Sequence, residues 1–412
     1  MPFELPRRVG MHGSQRLTAR ALVALAVALL ISPFGQVSLS RDSTTVSAVR
    51  PGVIHKTLYR SEGPWVINVL EIDLLQPDLR IESAKGLDRV VGREPTSSVA
   101  SRKNDSLVAV VAALNADFFE ENGETVSGEI ANGVYVRGLA PRGPQEGKPS
   151  WIRSQFGMTR RGRPVIERFE FSGTAFWKNG SRSKLGCVNV LRGQCGIALF
   201  NIYFGPSTPV DSLAHGAKEV PLSPVGERND TLLYIVNRYA SVGGGVPIPE
   251  NGIVLRTSSQ SPVFDPAVMA PRDTVKIVTQ MLPDDGPLRT LVGGTPRIVL
   301  DGKNVAGREE FSEGTSPEFS SKRHPRTGVG FSGDSTTVYW ITVDGRQSSS
   351  VGMSLPEFAD LMIALGVHEG LNLDGGGSTT MVVEGHVVNS PSDATGERPV
   401  GNCVLLLAHR NN

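Results

Sequence analysis

Apolar residues in this chain are grouped in short runs that are separated by turn residues. From Trp65 onward the runs are rich in β-branched residues, and clusters of Gly, Pro, Ser, Asn and Asp lie between them. This pattern is typical of β-strands. We predict strands at 66–72, 107–114, 196–203, 232–236, 275–279, 297–300, 338–343 and 404–408, and exposed loops at 137–150 and 304–323.

One segment has the periodicity of a helix instead. Ser354 and Glu357 have the spacing of a capping box, in which each side chain bonds to the other residue's backbone N–H. Apolar residues then recur on one helical face, at Phe358, Leu361, Met362 and Leu365. We predict a helix over 354–365 that Gly366 ends, and a weaker helix at about 96–103.

The predicted helix connects two strands that we expect to be parallel. Strand 338–343 precedes it and a short strand at 371–373 follows it, which is the pattern of a right-handed crossover. Polar turns at 332–335 and 384–385 predict hairpins before and after this unit. The sequence therefore predicts an α/β fold (mixed α+β), with a mixed β-sheet core and flanking helices.

Charged residues follow these two strands at the edge where both strands end. Asp344 comes directly after one strand and Asp374 after the other. Ligands of open α/β sheets bind at the carboxyl ends of the strands. Other residues predicted to reach this edge are His324, Arg326 and Thr327 through the first hairpin, Asn389 through the second, and Asn115 and Asp117 if strand 107–114 lies in the same sheet.

These residue types suit the binding of an anion beside two carboxylates. Arg326 and Arg346 can grip phosphate oxygens and stay charged at any working pH. Backbone N–H groups of a glycine-rich turn can also approach an anion, and such a turn follows Asp374, at Gly375, Gly376 and Ser378. Each feature has a structural alternative: a tight turn, an ion pair, a loop histidine. The residues alone predict an exported α/β hydrolase or a carbohydrate-binding protein.

The balance of charge argues against a polyanionic partner. The 412 residues contain 42 Lys and Arg against 41 Asp and Glu, which gives a net charge of +1. Binding to a nucleic acid or to an anionic membrane surface selects for an excess of basic residues. We therefore expect no nucleic acid among the partners.

The N-terminus has the parts of a secretory signal. Arg16 and Arg20 precede an apolar run at 21–31, and small residues follow up to Ser40. The run is shorter than the roughly 20 apolar residues that span a bilayer. We predict a signal peptide at 1–40, a linker at 41–60, and a secreted or periplasmic protein with no stable membrane span after cleavage. An uncleaved signal anchor is the alternative.

The three cysteines fit an exported protein only loosely. Cys187 and Cys195 bracket a short loop and suit a local disulfide, whereas Cys403 lies in an apolar run and suits a buried thiol. Three free cysteines are equally consistent with the sequence. No cysteine spacing matches a zinc site.

Several short stretches, taken together, resemble those of one family. They occur in the family's order along about 60–410, and the similarity is strongest toward the C-terminus. The stretches are Asn115-Ala-Asp-Phe-Phe119, Pro247-Ile-Pro-Glu-Asn-Gly-Ile-Val-Leu255, Gly293-Gly-Thr-Pro-Arg-Ile-Val-Leu-Asp-Gly302, His324-Pro-Arg-Thr327, Val343-Asp-Gly-Arg-Gln347, Ser350-Val-Gly-Met353, Leu371-Asn-Leu-Asp-Gly-Gly-Gly-Ser-Thr-Thr-Met381, Asn389-Ser-Pro-Ser-Asp393 and Glu397-Arg-Pro-Val-Gly-Asn402. This ordered set resembles the phosphodiester glycosidase family.

The resemblance implies a single catalytic domain at 61–412. The implied reaction is hydrolysis of a sugar-1-phosphodiester, with N-acetylglucosamine or a related sugar, in envelope or extracellular polysaccharide metabolism. The implied partner is therefore a carbohydrate phosphodiester. Two positions depart from the family pattern: Asp117 stands where relatives often have Gly, and Thr295 where many have Pro.

The resemblance also implies residue roles at the matching positions. We expect Asp374 and Asp344 to be the catalytic carboxylates and Arg326 and Arg346 to bind the phosphate, with His324 and Thr327 in the same catalytic group. Which carboxylate is acid, base or nucleophile stays open. The expected substrate-binding residues are Asn115, Asp117, Gly375, Gly376, Ser378, Asn389 and Asp393. No cofactor is expected with certainty, and a divalent cation (Ca²⁺ or Mg²⁺) on the carboxylates is left open.

Two other functions are consistent with the same residues. One is a non-catalytic envelope protein that binds polysaccharide or glycolipid, and the other is a hydrolase of a phosphodiester with no sugar at the scissile bond. The presence of both arginines and both carboxylates favours the glycosidase, because a binding module does not need the full set.

Overall fold

β-Strands dominate the chain, as the apolar runs predict. The structure is a computed structural model that describes residues 42–139, 152–190, 195–211, 215–228, 231–257 and 269–410. The strands up to residue 176 are β1 (Ser43–Arg50), β2 (Val53–Arg60), β3 (Trp65–Asp73), β4 (Leu79–Lys85), β5 (Val108–Asn115), β6 (Glu129–Ala131), β7 (Val134–Leu139), β8 (Gln155–Thr159), β9 (Pro164–Glu167) and β10 (Glu170–Phe176). Each predicted strand in this part lies in one of them.

The second half of the chain continues in the same way. The next strands are β11 (Arg182–Leu185), β12 (Cys187–Val188), β13 (Ile197–Phe200), β14 (Lys218–Arg228), β15 (Thr231–Val236), β16 (Ser241–Val242), β17 (Ile253–Thr257), β18 (Thr274–Leu282) and β19 (Leu288–Gly293). The last are β20 (Arg297–Leu300), β21 (Lys303–Asn304), β22 (Arg326–Phe331), β23 (Thr337–Val343), β24 (Glu369–Asn372), β25 (Met381–Val383), β26 (His386–Val387) and β27 (Asn402–His409). The α-helices are α1 (Thr96–Arg102), α2 (Ala306–Ser312), α3 (Pro317–Ser321) and α4 (Leu355–Ala364).

The predicted α/β class is wrong. Strands make up 48% of the structure and helices 10%, so the fold is mostly β-sheet. The prediction extended one strand–helix–strand unit, β23–α4–β24, to the whole chain. Most other connections are turns, which join neighbouring strands in the antiparallel direction. Within the described residues, the parallel neighbours in a sheet are β12 and β13.

The strands form three sheets. One has eight strands in the order β1-β2-β3-β23-β22-β24-β20-β21, and another has five in the order β26-β25-β5-β27-β4. The third has fourteen strands in the order β11-β10-β18-β15-β14-β17-β13-β12-β7-β6-β19-β8-β9, with β16 paired to β14. Buried apolar side chains from the eight-stranded and five-stranded sheets, such as Leu70, Trp340, Leu114 and Leu406, form one core.

The predicted crossover is confirmed in its main features. β22 lies between β23 and β24 and pairs antiparallel with both, so β23 and β24 run in the same direction. The Ser354–Glu357 capping box begins α4, as predicted. α4 packs Phe358 and Met362 against the outer face of the eight-stranded sheet. The hairpin turns at 332–335 and 384–385 are also present.

Two predicted irregular segments contain regular structure. Residues in 41–60 form β1 and β2, which pair with each other and with β3, so they are part of the sheet rather than a linker. The predicted loop at 304–323 contains α2 and α3. The predicted signal at 1–40 and most of the predicted loop at 137–150 lie outside the described residues.

The cysteines adopt one of the two arrangements that are consistent with the sequence. Cys187 and Cys195 form a disulfide, and Cys403 is a buried free thiol on β27. In the part of the chain that the structure describes, none of the helices is both long enough and apolar enough to cross a membrane.

Candidate active site

Three loops meet at one edge of the eight-stranded sheet, where β23 and β24 end and β22 begins. They are residues 324–327, 344–346 and 374–378, which we call the site edge. The Gly376 N–H donates to Pro325 O at 2.9 Å, and a Cβ on Gly376 would lie 3.0 Å from Arg346 Nη2. The predicted convergence of these residues at one edge is confirmed.

Strand pairing also fixes the separation of the two predicted catalytic carboxylates. Val343 of β23 pairs with Arg326 of β22. On the opposite edge of β22, Leu373 N donates to Thr327 O. Asp344 and Asp374 therefore follow strands that are two strand spacings apart, or roughly 10 Å between backbones. That separation leaves room for a ligand between the two side chains.

Asp344 is a buried carboxyl group that accepts its hydrogen bonds through one oxygen. Its Oδ1 accepts hydrogen bonds from Ser390 N at 3.0 Å and Asn389 Nδ2 at 3.4 Å. Burial raises the pKa of Asp344 to about 6, although these two bonds oppose the shift. The group therefore changes its charge near neutral pH.

Asp374 is a half-buried carboxyl group on the glycine-rich turn. Burial raises its pKa to about 6, and the nearby Ser378 hydroxyl and Arg398 guanidinium oppose the shift. The Asp374 backbone is fixed on both sides of the peptide unit, because its N–H donates to Ala116 O at 2.9 Å and its C=O accepts from Asn115 Nδ2 at 2.6 Å. The turn thus holds this carboxyl in one place.

Arg326 is mainly bound to backbone. Its Nε donates to Met353 O at 2.8 Å, and its Nη2 donates to Lys322 O at 2.8 Å and Phe319 O at 3.1 Å. Burial and the neighbouring Arg346 lower its pKa to about 10, so it remains a cation at neutral pH. Nη1 has no hydrogen-bond partner among the described residues. The Arg326 side chain is 2% exposed, so its positive charge lies just beneath the surface of the site edge.

Arg346 and His324 contribute the accessible part of the site edge. Arg346 is exposed, and no described carboxylate forms an ion pair with it. His324 is half-buried, and burial together with the Arg326 and Arg346 cations lowers its pKa. The histidine is therefore neutral at neutral pH, and the positive charge at this edge comes from the arginines.

The glycine-rich turn requires its glycines because neighbouring groups come very close. A Cβ on Gly375 would lie 2.7 Å from Pro325 O, and Gly376 has a φ of +61°. Beyond them, Ser378, Thr379 and Thr380 are buried, and their hydroxyl oxygens have no hydrogen-bond partner within the described structure. All three side chains are at most 1% exposed, so these hydroxyls lie beneath the surface of the turn.

Asn115 reaches the site edge from a different sheet than we expected. β5 pairs with β25 and β27 in the five-stranded sheet. Nevertheless, Asn115 Oδ1 accepts from Thr327 Oγ1 at 2.9 Å and Thr380 N at 3.0 Å. Since Asn115 and Thr327 satisfy each other, the structure gives both a positioning role between the sheets.

Asn389 and Asp393 also hold other residues in place. Asn389 Nδ2 donates to Thr379 O at 3.0 Å, which confirms that the second hairpin folds it back. Asp393 forms a two-point ion pair with Arg398, at 2.8 and 3.0 Å. A Cβ on Gly377 would lie 2.1 Å from Arg398 Nη2. Arg398 was not predicted, although it lies in one of the family-like stretches and its charge acts on Asp374.

Asp117 lies away from the site edge, in a separate group that we call the buried polar cluster (Lys85, Asp117, Glu124, Glu129 and Arg137). Asp117 Oδ2 accepts from Ser127 N at 2.9 Å, and a Cβ on Gly293 would lie 2.4 Å from its Oδ1. Burial raises the pKa of Asp117 to about 7. It is 1% exposed, so it has no direct access to a substrate.

The structure places a possible cation-binding group elsewhere. Among the described residues, Asp301, His368 and Glu369 have ligand atoms within 4.8 Å of one another. Asp301 follows β20, and His368 and Glu369 lie at the start of β24, whereas Asp374 follows the end of β24. Asp344 and Asp374 are not brought together in this way, so we derive no reaction step through a metal ion.

Comparison with known proteins identifies the C-terminal half of the chain. Residues 230–407, which contain the whole site edge, match the family model of the phosphodiester glycosidases. Over these residues the chain is similar to the phosphodiester glycosidase family. This similarity supports hydrolysis of a phosphodiester-linked sugar as the general class of reaction.

Two curated relatives match the chain over shorter stretches. N-acetylglucosamine-1-phosphodiester α-N-acetylglucosaminidase of Bos taurus is 31% identical over 121 residues, which is 28% of this chain and 23% of the relative. The SPbeta prophage-derived uncharacterised protein YomE of Bacillus subtilis is 41% identical over 84 residues, or 20% of this chain and 13% of the relative. The matches thus span less than a quarter of each relative's length.

Two crystal structures share the fold over most of the chain. A protein from Synechocystis has a TM-score of 0.68 at 19% identity, covering 90% of this chain and 64% of its own. A protein from Burkholderia pseudomallei K96243 has a TM-score of 0.62 at 23% identity, covering 84% and 74%. At these identities the likeness establishes the fold alone.

Proposed function

We propose that this chain hydrolyses the bond between a sugar's anomeric carbon and a phosphodiester, with N-acetylglucosamine or a related sugar. The observation that supports this most directly is the composition of the site edge. Two carboxyl groups with pKa values raised to about 6 lie beside two arginines that have no carboxylate partner among the described residues.

The two arginines have different roles in binding the phosphodiester. Arg346 is exposed, so its entire guanidinium group can contact the phosphate. This geometry favours two parallel hydrogen bonds to the phosphate oxygens. Arg326 is buried and is anchored by three backbone carbonyls. A fixed cation of this kind stabilises the negative charge that grows on the departing phosphate without having to reorient.

The carboxyl groups act on the sugar. In the proposed reaction a water oxygen bonds to the anomeric carbon, the bond from that carbon to the phosphodiester oxygen breaks, and a phosphomonoester leaves with the bonding electron pair. Glycosidases use one carboxylate for the positive charge or the attack at the anomeric carbon and a second group for proton transfer. We assign the first task to Asp374, which lies on the turn beside the arginines. Asp344 is then the group that exchanges the proton.

We propose a cell-envelope or extracellular setting for this reaction. The support is the predicted signal at 1–40 together with the Cys187–Cys195 disulfide, since disulfides persist in oxidising compartments. The natural substrate would then be a polysaccharide or glycolipid that carries a sugar-1-phosphodiester.

A substrate panel tests the proposal. The purified protein is incubated with UDP-N-acetylglucosamine, an alkyl N-acetylglucosamine-1-phosphodiester and an aryl phosphodiester without sugar, each with and without EDTA. We expect free N-acetylglucosamine from a glycosyl substrate and no aryl product. Saturable binding of the glycosyl substrate without turnover would instead support a binding protein, and cleavage of the aryl substrate alone would support a simple phosphodiesterase. The EDTA samples decide whether a divalent cation takes part.

A further inference from the structure

The fourteen-stranded sheet curls on itself. Eight of its strands follow one another in the order β10-β18-β15-β14-β17-β13-β12-β7, and the first and last of them touch. The rings of Phe171 on β10 and Tyr135 on β7 pack edge to face, 5.4 Å apart, and a Cβ on Gly138 would lie 3.0 Å from Phe171. We call this unit the barrel. Barrels of about eight strands are just wide enough to be filled by side chains or to hold one small ligand.

One end of the barrel is filled by its own side chains. Ala175, Val220 and Val275 lie there on strands of the barrel and are 0% exposed. They belong to the same apolar core as the inward residues farther along their strands. This end therefore has no space for a ligand.

The other end of the barrel contains a cavity of about 570 Å³. Leu199, Tyr234, Ile253 and Met281 line it, and each keeps 5–7% of its surface exposed, unlike the residues of the filled end. Pockets of roughly 300–1,000 Å³ with mostly apolar walls are the usual size for small-molecule sites. The cavity therefore has the dimensions of a binding site.

Charged groups are confined to the mouth of the cavity. Exposed Asn132, Arg160, Glu227, Asn251 and Asp284 surround it, and Arg160 Nη1 donates to Glu227 Oε1 at 3.0 Å. Inside, burial raises the pKa values of Tyr135 and Tyr234 to about 12, so both hydroxyl groups stay neutral. The inner wall carries no charge, and its apolar side chains are interrupted by the hydroxyl groups of Tyr135, Tyr234 and Thr279.

We propose that the barrel is a second binding site, which takes a single aliphatic chain with its polar head at the mouth. An extended apolar chain matches the uncharged inner wall of Leu199, Ile253 and Met281, and a polar head group matches the rim. The same chain chemistry is present in a free fatty acid and in the lipid part of a glycolipid. None of the lining residues belongs to the site edge, so this inference does not rest on the proposed glycosidase activity.

A chain-length series tests the proposal on the unmodified protein. Isothermal titration with octanoate, decanoate and dodecanoate, below their micelle concentrations, should show one site per chain. Affinity should rise about fourfold for each added methylene until the cavity is full, because each buried methylene contributes a constant apolar transfer term. A parallel titration with dodecyl glucoside separates the two sources: equal affinity indicates a glycolipid tail, and much weaker binding indicates a free acid. No saturable binding of any of these probes, or an affinity independent of chain length, would overturn the proposal.

A pair of leucine variants locates the bound chain. Leu232 lines the cavity, whereas Leu282 is exposed on β18 and does not line it. Leu232→Trp should fill the cavity and weaken dodecanoate binding at least tenfold, and Leu282→Trp should leave it within twofold. Circular dichroism and the thermal midpoint check that both variants are folded. If Leu232→Trp does not fold, Thr279→Leu takes its place, because Thr279 also lines the cavity and the change is small. Equal binding by a folded cavity variant and the control would place the chain elsewhere and reject the barrel as its site.

Discussion

The site edge and the buried polar cluster both contain several charged residues, but their hydrogen bonding differs. In the cluster, Lys85 Nζ donates to three backbone carbonyls, those of Gly92, Gly123 and Gly401, and Ser83 donates to Glu129. At the site edge, Arg346 has no such partners, and Arg326 keeps Nη1 free. Charged groups whose hydrogen bonds are made to the protein stabilise the fold. Charged groups without such partners can instead bind the substrate.

This difference divides the predicted site residues into two groups. Asn115, Thr327 and Asn389 have protein partners for their polar groups, so they position their neighbours. Asp344, Arg346 and Asp374 retain oxygens or nitrogens that the described protein does not use. The predictions below test the division by changing one residue of each kind.

A large effect is expected at Asp344. Asp344→Asn keeps the hydrogen bonds that Oδ1 accepts from Ser390 and Asn389 but removes the carboxylate that accepts a proton from the attacking water. We expect kcat/KM for a glycosyl phosphodiester to fall by about 10³-fold, within the usual range for loss of a general acid–base group. Steady-state release of free sugar measures this.

The matched control for Asp344 is another carboxyl group. Asp334 lies in the hairpin turn before β23, and its hydrogen bonds are to residues of the same turn. Asp334→Asn should leave kcat/KM within twofold. A comparable loss in both variants would remove Asp344 from the chemistry.

The sequence predicted the site edge better than the fold that contains it. The capping box at Ser354, the two hairpin turns and the strand ends before Asp344 and Asp374 are local signals, and local signals were sufficient to bring these residues together. The class of the fold depends on how distant strands pair, such as β3 with β23 and β5 with β27. Nothing in a short window specifies such pairing, and the curled sheet that forms the barrel was not foreseen for the same reason.

The sequence also did not predict the hydrogen-bond partners of individual residues. Arg326 and Arg346 are the same residue type at neighbouring motifs, yet one is bound by the carbonyls of Phe319, Lys322 and Met353 and the other is exposed. Every residue has a backbone carbonyl, so the sequence does not indicate which carbonyls accept hydrogen bonds from Arg326. Arg398 was overlooked because its importance depends on Asp393 and Gly377, which the fold brings to it.

The second prediction concerns the contribution of the buried polar cluster to the stability of the fold. Lys85→Met leaves three buried carbonyls without this donor and removes one of the two cations, Lys85 and Arg137, that act on Glu129. We expect the free energy of unfolding to fall by about 3–5 kcal/mol. Urea unfolding at pH 7 measures it, and kcat of the molecules that remain folded should be unchanged.

An exposed lysine provides the control for this change. Lys184 lies on β11 at the surface, and Lys184→Met should shift the free energy of unfolding by less than about 0.5 kcal/mol. If Lys85→Met lost activity while its stability stayed unchanged, the cluster would have a part in catalysis and the comparison would be wrong.

A smaller effect is expected at Arg346. Arg346→Ala removes an exposed cation that the protein does not otherwise use, so stability should be preserved. Loss of a charge-assisted contact with the phosphodiester should raise KM by about 30-fold. Arg161→Ala, an exposed arginine in the turn between β8 and β9, is the control. A KM that stays the same in both variants would mean that Arg346 does not bind the phosphate.

The smallest effect is that of pH on the unmodified protein. Burial raises the pKa values of Asp344 and Asp374 to about 6, so protonation begins to remove their charge as the pH falls through 6. If Asp374 acts as a carboxylate, kcat/KM at pH 5 should be about tenfold below its value at pH 7. Since a phosphodiester is a good leaving group, we expect no matching fall up to pH 8. A flat profile from pH 5 to 7 would contradict the assignment.

The most direct test of the central claim is the release of free N-acetylglucosamine from an alkyl N-acetylglucosamine-1-phosphodiester by the unmodified protein and by Asp374→Asn. The account predicts steady release by the unmodified protein and a loss of at least about 10³-fold in the variant, with unchanged circular dichroism and thermal midpoint. Equal release by the two proteins would show that the Asp374 carboxylate is not part of the mechanism. Saturable binding without release by the unmodified protein would show that the site edge binds a sugar phosphodiester but does not cleave it.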